Sequence, residues 1–471
     1  MVIDIIEKKR FVLALLKAIW ISTKKIQQMA VGPTLKREIS LVQASAINMI
    51  DMVGIGPFVV MPLVISMMGS NLFLWAWILG AFIALVDGMV WSELGASYPL
   101  AGGSYNFLKE AYGCKWGRMM SFLFVWQTCI QAPLVVASGA IGFSQYFTYL
   151  VPLGFLMKKV VAGGVVILIT ILLYRNIKTI GKISVFLWAG VMVTLLWIII
   201  GGFTHKQVDY SPLPEKGSEF LSGVFWIALG QGSVKTIYSY LGYYNVCHLG
   251  SEIINPVRNI PRSIFISVFG IAILYLCMNI SIVSVIPWQE AQHSVFIVSS
   301  FIEKIYGSTA AMIATALVLW IAFASLFAVM LGYSRVPYAA AADGNFFGVF
   351  AKLHPEKNFP YVSLLFIGGL GFLFSLLFKL ADVISAILAM RILVQFIAQA
   401  IGVILLRRRK TGDQIPFKMW LYPLPIVISI IIWLFVFFST GWYAFGGTLI
   451  ALAGVAIYYL KQGLIKPGPE L

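Results

Sequence analysis

Charge is scarce in this chain, and acidic charge above all. Only 18 Asp and Glu are spread over 471 residues, and charged residues of both signs make up 11%. A soluble domain ordinarily carries about 25%. Cysteine is scarce too. Cys114, Cys129, Cys247 and Cys277 show no C-x-x-C spacing, and three of them fall inside apolar runs, which excludes a disulfide framework or a zinc site. The four histidines are scattered, with no H-E-x-x-H, and His248 alone lies in an apolar run, where a packing role is expected. There is no G-x-x-x-x-G-K-[ST] loop to cradle phosphate, and no Ser/His pair or carboxylate dyad at one depth. An enzyme is therefore not expected, nor a resident metal or cofactor. No connection between apolar runs is long enough to hold a soluble domain.

What the chain has instead is hydrocarbon. Sixty per cent of its residues are hydrophobic, and the mean hydropathy is +0.91. A spanning helix needs roughly 20 apolar residues. Twelve segments qualify, near 41–67, 72–94, 117–150, 158–175, 183–203, 222–250, 263–286, 309–338, 361–378, 383–406, 420–438 and 442–460. The third, sixth and eighth are too long for one simple span, so tilt or extramembrane turns are expected there. The reading is one all-α, polytopic membrane domain.

The net charge of +16 invites a nucleic-acid partner until its location is considered. With the amino terminus inside and the segments alternating, inner stretches hold 26 of the 34 Lys and Arg. Outer loops hold six (Lys158, Lys159, Lys206, Lys216, Lys304 and Lys379), and Lys235 and Arg391 lie within spans. This asymmetry is the positive-inside signature. It places both termini in the cytoplasm of a cell membrane and makes lipid the partner of the charge, with no nucleic acid and no obligate protein partner evident. Residues 1–40 read as a basic amphipathic segment on the inner leaflet: Glu7-Lys8-Lys9-Arg10 precedes an apolar run that Lys17 interrupts. Either Met1 or Met29 serves as the start.

Two of the spans break at glycine, one in each half of the chain. The first reads Asp51-Met52-Val53-Gly54-Ile55-Gly56-Pro57, and the second Tyr238-Ser239-Tyr240-Leu241-Gly242-Tyr243-Tyr244. Irregular backbone at membrane depth leaves amides and carbonyls that hydrocarbon cannot satisfy, so it survives only when buried or lining a cavity. A matched pair of breaks points to the binding site of a secondary transporter. The alternative is that the glycines are packing notches between helices.

Six ordered motifs carry a resemblance. Gly54-Ile55-Gly56-Pro57-Phe58 resembles the first-helix break of amino acid–polyamine–organocation permeases. Glu93-Leu94-Gly95 with Pro99 to Tyr105 is similar to the stretch after their second helix, and Ser239–Tyr243 to their sixth-helix break. Glu252–Pro261, Ser334–Gly344 and His354–Val362 resemble their later loop motifs. The resemblance implies a LeuT-like inverted repeat of five plus five helices, at 41–203 and 220–410 within a core of 41–410. Helices 11 and 12 and a tail follow at 411–471. It also implies alternating-access uptake or exchange of amino acids or related amines, with the substrate held at Gly54, Ile55, Gly56, Tyr240, Leu241, Gly242 and Tyr243. Half-helix amino ends offer N–H groups and positive dipole to a carboxylate, and carboxyl ends offer carbonyls to an ammonium.

Ionisable groups at mid-bilayer cost about 2.5–3.5 kcal/mol even on lenient scales. Asp51, one helical turn before Gly54, would meet a cationic substrate group or carry a coupling proton, or else serve as an internal pair or cap. Asp87 is expected to pair with an inner-face Lys or Arg, with proton carriage as its alternative. Glu93 and Glu252 match family acids, with structural roles expected. Lys235 would snorkel outward or answer Asp382. Arg391 begins a stripe with Gln395 and Gln399, and this would either line an outer vestibule or gate or stitch one helix to its neighbours. Some family members carry a lysine midway along helix five in place of sodium. Here 183–203 holds no charged residue, so that mechanism is not inherited. Ser325 would join a sodium site near Asp51, or bond its own i−4 carbonyl. The coupling ion, H+ or Na+, stays open. So do a cationic amino acid or polyamine as substrate, a permease for another organic cation, a channel, and a receptor-like or structural subunit.

Overall fold

The computed structural model describes residues 35–213, 220–378, 386–387, 389–409 and 415–464. Most of the proposed leaflet segment, together with Asp382 and Lys379, lies outside these. Among the described residues the chain is helical without strands, and only two isolated bridges occur, Ile39 with Ile253 and Ala101 with Leu249.

The first span begins where the sequence supplies a capping box. Ser40 accepts from the Gln43 amide, and the Gln43 side chain accepts from the Ser40 amide at 2.8 Å. Helix α1 (Leu41–Met52) then runs to the first break, and α2 (Gly56–Met68) continues at a 45° bend. The helices α3 (Leu74–Ser97), α4 (Ser104–Leu150), α5 (Phe155–Leu173) and α6 (Ile177–Thr204) complete the first half. Gly113, with φ 65°, breaks α4 ahead of the third apolar segment, which then runs on as one long helix to Leu150.

Helix α7 (Gly223–Tyr240) stops at the second break and resumes as one turn, Asn245–His248. The helices α8 (Pro256–Val283), α9 (Ile297–Tyr306), α10 (Ser308–Tyr333), α11 (Arg335–Ala342) and α12 (Tyr361–Leu377) follow. A π-helical turn, Ile392–Ile397, leads into α13 (Ala398–Arg409), and α14 (Leu424–Ser439) and α15 (Trp442–Leu464) close the fold. Each of the twelve apolar segments thus contains helix. Among the described residues eight helices are long and apolar enough to cross a membrane, nine if the bent α1–α2 pair counts as one.

The core packs α1 among α6, α8 and α10, sets α2 against α7, and lays α3 along α8. Outward faces are apolar and exposed, as on α5 (Phe155 77%, Leu156 71%) and α6 (Phe186 66%), which suits hydrocarbon rather than water. Glu93 and Glu252, with structural roles expected, each form an ion pair. Glu93 takes a bidentate pair from Arg407 at 2.6 and 2.6 Å and accepts from the Met419 amide, tying α3 to the chain on both sides of the 410–414 stretch. Glu252 takes both arms of Arg335 at 2.9 Å, with the pair all but inaccessible to solvent. Glu252 also fixes the chain before α1, because its carbonyl accepts from the amides of Glu38 and Ile39. The chain before the first broken span is therefore held to the chain after the second.

Candidate functional site

At the first break, Val53 leaves helical geometry (φ −90°, ψ 76°) and α2 restarts with Pro57 at its first turn. Proline has no N–H to lose there. The amides of Ile55, Gly56 and Phe58 find no acceptor among the described residues. At the second break, Leu241 is extended (ψ 147°) and Gly242 takes φ 122°, a region open to glycine. The carbonyls of Tyr240 and Leu241 find no donor there. Free donors on one broken helix thus lie across from free acceptors on the other.

The breaks touch. A Cβ placed on Gly242 would sit 2.8 Å from the Asp51 carbonyl carbon and 2.8 Å from the Met52 nitrogen. One placed on Gly54 would lie 2.8 Å from the Ser325 hydroxyl of α10. The close approach that these glycines allow is therefore in the first place between parts of the protein itself. The two positions differ in what blocks them, backbone at Gly242 and a short side chain at Gly54. Gly54→Ala is accordingly expected to impair transport, and Ser325→Gly added to it to restore a large part. Flux measured for the single and the double variant checks this, and no recovery would place the defect elsewhere.

Between the breaks lies a cavity of about 80 Å³. Asp51, Gly54, Ile55, Gly56, Leu241, Gly242, Ser325 and Arg391 all reach it. Sequence positions in four separate spans are thereby brought to one place. Asp51 accepts from the Asn245 side chain at 2.8 Å, and no ion pair joins it to Arg391 among the described residues. Ser325 donates to the Asp51 backbone carbonyl at 3.3 Å rather than to its own preceding turn.

Arg391 is buried, and its guanidinium is only partly occupied. Nε donates to Gln395 at 3.1 Å, and Nη2 bonds the hydroxyls of Tyr333, at 2.5 Å, and Tyr244. Nη1 has no partner among the described residues. Beyond it the stripe does stitch helices together: Gln399 accepts from Ser104 of α4 at 2.5 Å. The π-turn beginning at Ile392 was not legible in the i, i+4 pattern, which assumes regular α geometry.

Two expectations are corrected. Tyr240 and Tyr243 do not line the cavity. Tyr240 packs edge-on against Trp77 and Tyr275, and Tyr243 turns away to Asp87. Tyr238 and Tyr244 supply the aromatic wall instead. Asp87 has no Lys or Arg partner among the described residues and does not reach the cavity. Its oxygens accept from Trp91 at 3.0 Å, Ser429 at 2.9 Å, Trp433 at 3.1 Å and the Tyr243 hydroxyl. Four neutral donors do the work expected of a cation, which spares the cost of burying a second charge. Lys235 makes no ion pair among the described residues, and Asp382 lies outside them. His248 packs among the rings of Phe124, Trp91 and Tyr333, as a packing residue should.

Two important residues were missed. Tyr275 of α8, wholly buried, points its single O–H at the Met52 carbonyl (2.9 Å) and the Ser239 carbonyl (3.1 Å), one from each break. Asn245 bridges Asp51 and the Ala328 carbonyl, at 2.8 Å each, and Gly332 leaves it room. Asn245, three residues past Gly242, carries the signal of a polar residue close to a break, and Tyr275, well inside α8, carries none.

Two helices broken at facing positions, around a cavity with one carboxylate and one guanidinium, inside an apolar exterior, define a multi-pass membrane carrier. Residues 39–460 match the amino acid permease family, and the chain belongs to it. It is a transporter and not an enzyme. It is 25% identical over 450 residues to the branched-chain amino acid permease BcaP of Bacillus subtilis, covering 91% of this chain and 93% of that one. It is 25% identical over 435 residues to the serine/threonine exchanger SteT of the same organism, covering 90% and 97%. It is 28% identical over 446 residues to the large neutral amino acids transporter small subunit 2 of Homo sapiens, covering 91% and 81%.

Proposed function

We propose that this permease moves small α-amino acids across the cell membrane by alternating access, with the ligand held between the two breaks. The observation that carries this is the pairing of free amides at Ile55 and Gly56 with the free carbonyl of Leu241 around one cavity. An α-carboxylate meets the N–H groups and positive end of α2, and an α-ammonium meets the carbonyls and Asp51. The matched breaks, with α2 packed on α7 and α3 on α8, support twelve spans arranged as a five-plus-five inverted repeat with two appended. The basic-residue asymmetry supports cytoplasmic termini.

The cavity argues for a small zwitterion rather than a polyamine. At about 80 Å³ the cavity suits a compact ligand rather than a long polyamine such as spermidine. Arg391 on the same wall repels a second cationic group. Relatives named for branched-chain, serine or threonine, and large neutral amino acids make a neutral side chain the first choice here. Flux into liposomes of purified protein, with one labelled neutral amino acid and the other amino acids, putrescine and spermidine as competitors, tests the reading. Competition by neutral amino acids is expected. Competition by a sugar or nucleobase alone overturns it. Imposed proton or sodium gradients in the same vesicles distinguish coupled uptake from exchange.

Asp51→Asn keeps an oxygen for Asn245 and removes only the charge. Hydrogen bonds to charged groups contribute about 1.5–3 kcal/mol, so KM should rise about 10–100-fold with the protein still inserted. An unchanged KM would leave Asp51 a structural cap.

A further inference from the structure

We infer that the inner end of α8 and the segment before α14 form a binding site for one anionic phospholipid. A groove of about 540 Å³ lies there, open to the outside of the helix bundle. Its walls are Phe265, Phe269, Phe417 and Trp420, and Arg258 and Arg262 stand at one end. The aromatic wall is built rather than incidental: Phe265 stacks on Trp420 with ring centroids 5.3 Å apart, and Phe417 closes against both.

The spacing on α8 separates the charge from the oil. Arg258, Arg262, Ile266, Phe269 and Ile273 follow one another at four, four, three and four residues, so they share one face. Ile266, Phe269 and Ile273 are exposed by 46%, 52% and 61%, which marks that face as the one turned to hydrocarbon. The two arginines are exposed at its start, and neither joins an ion pair among the described residues. Lys418, also exposed, adds a third cation beside Phe417. Acyl chain along the aromatic wall and phosphate at the guanidiniums is the one occupant that matches both ends. Arginine binds phosphate in a two-pronged fashion and prefers it to water. The basic residues lie on the side that charge asymmetry assigns to the cytoplasm, where anionic headgroups attract such clusters.

Lys178 and Lys182 supply an internal control. They form the same i, i+4 basic pair at the start of α6, also exposed, but do not line this groove. The test is native mass spectrometry of the full detergent-purified chain, with added phosphatidylglycerol or phosphatidylcholine of identical chains. One retained phosphatidylglycerol is expected, and Arg258→Gln with Arg262→Gln should lower its retention about tenfold or more. Arg258→Lys with Arg262→Lys should keep only part of it, since the charge stays and the two-pronged contact is lost, and Lys178→Gln with Lys182→Gln should change nothing. A phosphatidylglycerol with a photoactivatable acyl chain should label the stretches 265–269 and 417–420 in the unaltered protein. Equal retention of phosphatidylcholine, equal loss in the Lys178→Gln, Lys182→Gln variant, or labelling confined to other helices would each overturn the site.

Discussion

Gly242→Val is expected to abolish transport, and no trimming of a neighbouring side chain should bring it back. The residue holds φ 122°, where a left-handed backbone costs an L-residue about 1–2 kcal/mol. A Cβ there would also strike the Asp51 carbonyl carbon and the Met52 nitrogen at 2.8 Å, and forced overpacking costs about 1–3 kcal/mol more. Together these push the two breaks apart by a cost of about 2–5 kcal/mol, and 3 kcal/mol corresponds to about a 100-fold change. The distortion falls on the free carbonyls of Tyr240 and Leu241 and on the shared Tyr275 hydroxyl, while the packing of α3 on α8 is untouched. Flux should fall to about one per cent of the unaltered protein or less, with a monodisperse profile in detergent. Wild-type flux from a folded Gly242→Val protein would remove the second break from the site. The contrast with Gly54→Ala, relieved by Ser325→Gly, separates a backbone obstacle from a side-chain one.

Glu252→Ala should have the larger effect on stability. It leaves the Arg335 guanidinium buried at 2% exposure, with only the Leu331 carbonyl and the Ser334 hydroxyl as partners. Removing one member of a buried ion pair costs about 3–5 kcal/mol, because the other charge stays uncompensated. Loss of folded protein, or a steep fall in the melting temperature in detergent, is the expected readout. Replacing both residues by apolar ones, Glu252→Met with Arg335→Leu, should recover much of the melting temperature, since no charge is then stranded. If the single and double variants melt alike, the pair is not what holds the loop after the second break.

The difference between legible and hidden features follows the range of the forces involved. Gly54 and Gly242 could be read because a break in an apolar run violates a rule that acts along the chain. Glu93 and Glu252 were recognisable as structural acids because their motifs carry them, although their partners Arg407 and Arg335 were not named. Asp87 misled because a buried carboxylate in sequence suggests a cation, whereas its donors are Trp91 one turn on in its own helix, Tyr243 at the second break, and Ser429 and Trp433 of α14. Tyr240, Tyr243 and Tyr244 are near neighbours in the chain, yet only Tyr244 faces the cavity, because the irregular backbone at Gly242 breaks the helical period that would predict direction.

The sequence by itself determined that the chain is an all-helical membrane protein, where its apolar segments fall and where two of them break. Hydrophobic length, charge asymmetry and glycine placement are local properties, and water and hydrocarbon act on each segment separately. Only the tertiary structure decided that Asp51, Ser325 and Arg391 share one cavity, that Tyr275 holds both breaks at once, and that Asp87 needs no cation. Those facts depend on which helix faces meet, and a face is chosen by packing against distant residues that no window of sequence contains.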